Sequence, residues 1–264
     1  MAKKIAILNH KGGVAKTTTA TSVASILAQE PQNRVLLVDG DAQGNTLVSY
    51  GNNPYNFKNT LYDVIVDGLP ASKVVHSVFD RLDILPSNDD LDYLDQDVWT
   101  NQGKYPVPFK LLKKSLESHL EPLYTHIIFD ASPSMNLINM NIMAYADSVI
   151  VPFELEETAL KGIVKIVNKI KEFREKQNPS LEIGGLLPVK VESRTNLHQM
   201  ILREVNNYAE KNEIYMFSEG IPKTVKFAES VTNMGFPAVD TFKTNRAVQN
   251  YYSFVNSLIE RNVL

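Results

Sequence analysis

The stretch LNHKGGVAKTTTATSVA, residues 8–24, decides the fold. An apolar run, KIAILN at 4–9, leads into Gly12 and Gly13 and then into a helix opening near Lys16. Strand, glycine loop and helix in that order build an anion cradle: the glycines let backbone N–H groups turn inward, and the helix points its positive end at the ligand. In such a loop the Lys16 ammonium reaches the β- and γ-phosphates and the Thr17 hydroxyl ligates Mg²⁺. The generic G-x-x-x-x-G-K-[ST] pattern is broken, however. His10 and Ala15 stand at its two glycine positions, and a second lysine, Lys11, precedes the glycine pair. The plainer alternative is a glycine turn before an amphipathic helix, and acidic partners further along the chain weigh against it.

The first partner is VLLVDGDAQGN (35–45), a buried strand ending in Asp39 and Asp41 and then a polar loop. The second is HIIFDASP (126–133), which ends in Asp130 and reads as a Walker B strand that supports Mg²⁺ through water. Carboxylates at the C-terminal ends of strands lie where open α/β sheets bind ligands. Further apolar runs, LDILP (82–86), SVIVPF (148–153) and IGGLLPVKV (183–191), alternate with helical patterns. The clearest helix covers 157–175, with Leu160, Ile163, Val164, Val167, Ile170 and Phe173 on one face and Lys161, Lys165 and Lys169 on the other, solvated one. The expected fold is α/β: a P-loop domain with a mostly parallel twisted sheet flanked by helices on both faces. QNPS (177–180) and NQGKYPVP (101–108) mark loops, and no repeat or linker divides the 264 residues, so one domain over 1–264 is expected.

Composition removes several classes of function. With no cysteine, disulfides, iron–sulfur ligation and thiol catalysis are absent together. Five scattered histidines give no zinc pair. The formal net charge of -3 provides no global field toward nucleic acid or anionic membrane, so any DNA contact must be local. The N-terminal apolar run is too short for a signal peptide or a membrane span, and a reducing cytoplasm is expected.

KGGVAKTTT (11–19) resembles the deviant Walker A motif of the ParA/MinD group of P-loop ATPases, and of ParA/Soj partition ATPases in particular. The resemblance continues through LLVDGDAQGN, NTLYDVIVDG (59–68), LDILPSN (82–88), IIFDASPSMNLINMNIMAYAD (127–147), VPFELEETALKG (151–162), SRTNLHQ (193–199) and IPKTVKFAES (221–230). It implies an ATPase that uses ATP and Mg²⁺, with Lys11, Gly12, Gly13, Val14, Ala15, Lys16, Thr17 and Thr18 around the phosphates and Thr17, Asp130 and Asp39 at the metal. It implies that Asp41 positions the attacking water, with QGN (43–45) and ASPSMN (131–136) as switch loops. Lys11 is implied to cross a two-fold interface to the ATP of the other copy, so that nucleotide becomes part of a homodimer. Physically, two ATP molecules at one seam concentrate negative charge, and a cation from each side stabilises the closed pair.

The same resemblance implies non-specific DNA binding in the ATP dimer, through Arg194, Lys226 and the neighbouring Lys223, with the nucleoid as the surface and a ParB-like centromere-binding partner that stimulates hydrolysis. Basic residues between 186 and 246 are nearly balanced by acidic ones, so no broad basic face is evident. The first strand begins near residue 4, leaving no room for an N-terminal helix-turn-helix. The alternatives are a membrane-positioning ATPase like MinD, a metabolic relative such as an anion-pump ATPase or an amide ligase, and a nucleotide-gated scaffold. The tail at 245–264 is amphipathic but carries only Arg261 as a cation after Arg246, which fits a last helix packed on the sheet better than a lipid-binding one. Three departures stand out: Ala15 for the usual glycine, Ala42 for a proline, and ASP for a more proline-rich turn after Asp130. Alanine can take the glycine's place at 15 without strain if the backbone there has negative φ.

Overall fold

A computed structural model describes residues 1–192 and 196–264. Its centre is an eight-stranded sheet in the order β3-β4-β2-β5-β1-β6-β7-β8. The strands are β1 (Lys3–Ile7), β2 (Val35–Gly40), β3 (His76–Phe79), β4 (Leu82–Leu85), β5 (His126–Ala131), β6 (Ser148–Glu154), β7 (Glu182–Val191) and β8 (Ile221–Pro222). Every pairing is parallel except β3 with β4. The six apolar runs read from the sequence are all strands. β3 and β8 are additions: one is a four-residue hairpin arm and the other only two residues long, too short for a period to show.

The helices are α1 (Lys16–Ala28), α2 (Asn45–Ser49), α3 (Leu61–Val66), α4 (Leu94–Thr100), α5 (Leu111–Leu116), α6 (Leu137–Tyr145), α7 (Ala159–Lys176), α8 (Asn196–Lys211), α9 (Lys226–Met234), α10 (Ala238–Thr241) and α11 (Arg246–Glu260). Period-two alternation in the strands divides the interior into two cores. Ala6, Leu36, Val38, Ile127 and Phe129 face one, shared with α3 to α8. Ile5, Ile7, Val35, Leu37 and Ile128 face the other, shared with α1, α10 and α11. Covering both faces is what a parallel sheet of continuous apolar strands requires.

α1 is an unusual helix for its place. Its sequence KTTTATSVASILA is rich in small and β-branched residues, and eleven of its thirteen side chains are buried, including Thr19, Thr21, Ser22 and Ser25. Small side chains let it approach the sheet while α11 lies across it, and two of the buried hydroxyls, those of Thr19 and Ser25, find partners in phenols, while Thr21 bonds the Thr17 carbonyl at 2.8 Å. Thr19 Oγ1 lies 3.0 Å from the Tyr251 hydroxyl of α11, and Ser25 Oγ 2.8 Å from that of Tyr50. α11 buries Tyr251, Phe254, Val255 and Leu258 on the core and leaves Ile259 outside. The C-terminal segment is thus the packed helix expected. Among the described residues, no helix is long and apolar enough to cross a membrane.

Candidate phosphate and metal site

Register places the acidic residues together. On neighbouring strands, Asp39 pairs with Asp130, and Asp130 also pairs with Ile7, the last residue of β1 before the glycine loop. Asp39 shares the parity of Val35 and Leu37, and Asp130 that of Ile128, so both carboxylates stand on the α1 side of the sheet. Their closeness also constrains Gly40: a Cβ there would lie 2.9 Å from the Asp130 carbonyl oxygen and 2.8 Å from Ile142 Cδ1.

Both carboxylates are fully buried. Asp39 is satisfied: its Oδ2 accepts from Thr46 Oγ1 at 2.6 Å and Thr46 N at 3.1 Å, and its Oδ1 from Asp41 N at 3.0 Å. Burial nonetheless pushes its carboxyl up to about 6. Neither oxygen of Asp130 has a hydrogen-bond partner. Burial first, and then the charge of Asp39, raise its carboxyl well above the usual range, against the opposing pull of Thr17 and Lys16. A buried, unpartnered carboxylate beside a second one is costly to ionise without a cation. The donor set fits a hard divalent ion: oxygen ligands only, with the Thr17 hydroxyl nearby. Among the described residues no group of three or more His, Asp or Glu could hold a metal by itself.

The loop between β1 and α1 is pinned at its start. Asn9 donates from Nδ2 to the Pro152 carbonyl at 2.7 Å and accepts from Lys11 N at 3.1 Å. Gly12 and Gly13 are exposed, Val14 is buried, and Thr17 and Thr18 are half-buried at the helix start. No side chain caps the N-terminus of α1 and no acidic residue sits in its first turn, so its leading N–H groups are left for an anion. Lys16 is buried and donates to the Lys11 carbonyl at 3.1 Å. Burial lowers its ammonium, while Asp130 and Asp41 hold it up. The condition for an unstrained alanine is not met at Ala15, which adopts φ 56°, ψ 35°, in the left-handed region. The turn that glycine usually makes is kept, and alanine bears its strain.

Asp41 is half-buried at the mouth of the site, and its side chain accepts from Gln43 N at 3.1 Å, closing the first polar loop on itself. The second polar loop is held by Asn139 of α6, whose amide bonds both ways to Ser132: Ser132 N donates to Oδ1 at 3.2 Å, and Nδ2 donates to Ser132 O at 2.8 Å. Lys11 is exposed and ion-paired with Glu156 on the segment after β6. A cavity of about 520 Å³ opens beside it, lined by His10, Thr158, Lys161 and Lys165 among others. His10 Nδ1 is buried without a partner, and burial followed by Lys165, Lys169 and Lys16 lowers its imidazole. The α7 lysines therefore line the loop's flank. Lys161 and Lys165 are exposed as expected, while Lys169 is half-buried.

The site brings together Lys11, Gly12, Gly13, Val14, Ala15, Lys16, Thr17, Thr18, Asp39, Asp41 and Asp130, all named by the sequence. It adds Thr46, Asn139 and Glu156, to which the sequence assigns no role of their own. Of the DNA candidates, Arg194 lies outside the described residues. Lys223 pairs with Glu192 at 2.5 Å, and Lys226 pairs with Glu229 at 2.6 Å with its ammonium 5.1 Å from the Phe242 ring.

Comparison with known proteins agrees with this geometry. Residues 2–183 match a family model described as an AAA domain. The chain is 31% identical to the sporulation initiation inhibitor protein Soj of Bacillus subtilis, over 95% of this chain and 96% of that protein. It is 30% identical to the chromosome partitioning protein ParA of Myxococcus xanthus, over 98% and 88%. Among solved structures, one described as cobyrinic acid a,c-diamide synthase from Mycobacterium smegmatis, with bound ADP and magnesium, superposes with a TM-score of 0.81. It is 28% identical, over 98% of this chain and 94% of that one. A plasmid partition protein of Borrelia burgdorferi bound to AMPPNP shares the fold, with a TM-score of 0.79 at 22% identity over 99% and 100%. With its glycine loop, its two strand-end aspartates and this kinship over most of its length, the chain belongs to the ParA/Soj family of P-loop ATPases.

Proposed function

We propose that the protein is a single-domain, ATP- and Mg²⁺-dependent switch for partition of a plasmid or chromosome region, alternating between monomer and ATP-bound homodimer. The observation that carries this reading is the convergence at one sheet end of an uncapped helix, a buried lysine and two buried aspartates. In this reading the loop backbone and Lys16 hold the phosphates. Thr17 and Asp130 hold the metal, with Asp39 supporting. When bound, Mg²⁺ supplies charge neutralisation at the phosphate oxygens and a use for the unpartnered Asp130.

Asp41 orients water. Its half-exposed place beside the site and its hold on the first polar loop support that role over metal binding. Lys11, exposed and held by a surface carboxylate, is free to exchange Glu156 for phosphate of a second copy. Non-specific DNA binding through Arg194, Lys223 and Lys226, nucleoid association in the cytoplasm, and stimulation by a ParB-like partner rest on kinship with the ParA and Soj proteins. The ion pairs at Lys223 and Lys226 leave little net charge for phosphate in one copy, which supports a need for the dimer. The buried apolar face of α11 favours this reading over a membrane-positioning one.

The test is light scattering after size exclusion, with ATP, ADP and random duplex DNA, on wild type, Asp41→Ala and Lys11→Ala. Asp41→Ala should lose turnover, keep ATP and accumulate as a DNA-bound dimer, and Lys11→Ala should bind ATP as a monomer. Undiminished hydrolysis by Asp41→Ala, or dimerisation of Lys11→Ala, defeats the scheme.

A further inference from the structure

Lys190 is the one residue of β7 with a left-handed backbone, φ 53°. A lysine takes that conformation only where its surroundings impose it, and such residues gather at functional sites. The ladder between β7 and β8 is irregular at this point, between Val189 and Val191. Irregularities of this kind re-aim a side chain. Here the re-aimed ammonium donates to two acceptors: the Glu154 carboxylate at the end of β6, at 2.6 Å, and the Gly13 carbonyl oxygen of the glycine loop, at 2.8 Å.

We propose that Lys190 is a positioning residue for nucleotide binding, a clamp from outside the loop that sets the orientation of the Gly13–Val14 peptide. The inference rests on the reading of residues 9–18 as the phosphate loop. A trans peptide is planar, so its C=O and N–H point in opposite directions. Holding the Gly13 carbonyl toward Lys190 turns the Val14 N–H away from it, into the loop, where an anion needs a donor. If that peptide were to flip, a carbonyl would face the phosphates instead.

Packing alone does not prevent the flip. A Cβ built at Gly12 or Gly13 would meet nothing within 4 Å, so the loop's two glycines have open space around them. Asn9 fixes the loop at Lys11 N, and the α1 hydrogen bonds begin at Thr19 N to Ala15 O. Between those anchors lies the Gly13 carbonyl, and Lys190 holds it. Glu154 keeps the ammonium in place by a second bond, and its partial burial strengthens that hold.

The test is isothermal titration of wild type, Lys190→Ala, Lys190→Arg and Lys190→Gly with Mg-ADP, which needs no turnover, alongside urea unfolding of each. Lys190→Ala should bind about tenfold more weakly, ~1.4 kcal/mol, with Lys190→Arg recovering most of the loss. Lys190→Gly removes the clamp and the left-handed strain together, so it should unfold at equal or higher urea yet bind about tenfold more weakly. A residue with only a structural role would move both quantities the same way. Wild-type affinity in Lys190→Ala and Lys190→Gly overturns the clamp while leaving the phosphate-loop reading intact. Failure of wild type itself to bind Mg-ADP defeats both.

Discussion

Asp39 makes the metal-free protein pay a pH-dependent cost that one substitution should remove. Its carboxyl, at an ordinary value of 3.8 in the unfolded chain, is pushed to about 6 by burial in the folded one. The folded state therefore keeps a proton that the unfolded state gives up. The associated stability is whole below about pH 4, drains away as pH rises from about 4 to about 6, and is absent above that. A shift of roughly two pH units is worth ~3 kcal/mol at 1.36 kcal/mol per unit. Asp39→Asn cannot ionise, so it escapes this loss. It also presents an amide NH₂ to one of the three donors now served by the carboxylate, Thr46 Oγ1, Thr46 N or Asp41 N, and forfeits about 1 kcal/mol. At about pH 4.5 the two effects nearly cancel, because only ~1 kcal/mol of the wild-type loss has developed. At about pH 8 the variant should be ~2 kcal/mol the more stable, and relief of the repulsion that raises Asp130 acts in the same direction. Urea unfolding in a chelator, without nucleotide, at both pH values measures this. A variant destabilised equally at both would refute the argument that a buried charge is what Asp39 costs the fold.

Three further outcomes follow from individual contacts. Ala15→Gly should raise the unfolding free energy by about 0.5 kcal/mol, seen as a higher urea midpoint at unchanged slope, relief of the left-handed alanine exceeding the added entropy of the unfolded chain; a lower midpoint would contradict a strained loop. Tyr251→Phe leaves Thr19 without its phenol partner between α1 and α11, and should cost about 1 kcal/mol in chemical denaturation, with no loss counting against the bond. Glu156→Gln frees Lys11 from a pair in which both side chains are about half exposed, so ATP-dependent self-association should tighten by no more than about fivefold, ~1 kcal/mol; weaker association, measured by sedimentation, would mean that Glu156 helps the dimer rather than restraining it.

Much of the site could be read from the chain because its parts are local. Each of β1, β2 and β5 is an apolar run ended by a loop or a carboxylate, and a parallel sheet carries such ends to one edge without further information. The pairing of Asp39 with Asp130 follows once β2 and β5 are neighbours. What stayed hidden depends on how the chain folds back on itself, over a few residues or across most of its length. Thr46 reaches Asp39 only because the first polar loop folds back, Asn139 acts from inside a helix, and Lys190 is 177 residues from Gly13. The backbone at Ala15 stayed open for a different reason: the preference of alanine for negative φ is a matter of about 1–2 kcal/mol, and the tertiary demand of the loop exceeds it. Nor could charge counting show that Lys223 and Lys226 each already have a carboxylate within reach.

The two margins of the sheet limit how copies of this chain can associate. On one side β8 offers two residues, and the second is Pro222, which has no N–H to give. On the other, β3 has four residues with a register break between Ser77 and Phe79. Neither margin can template a growing ribbon of strands. Should the protein polymerise on DNA, the protomers must meet through helices and loops, and the resulting fibre would lack the 4.7–4.8 Å cross-strand repeat in diffraction.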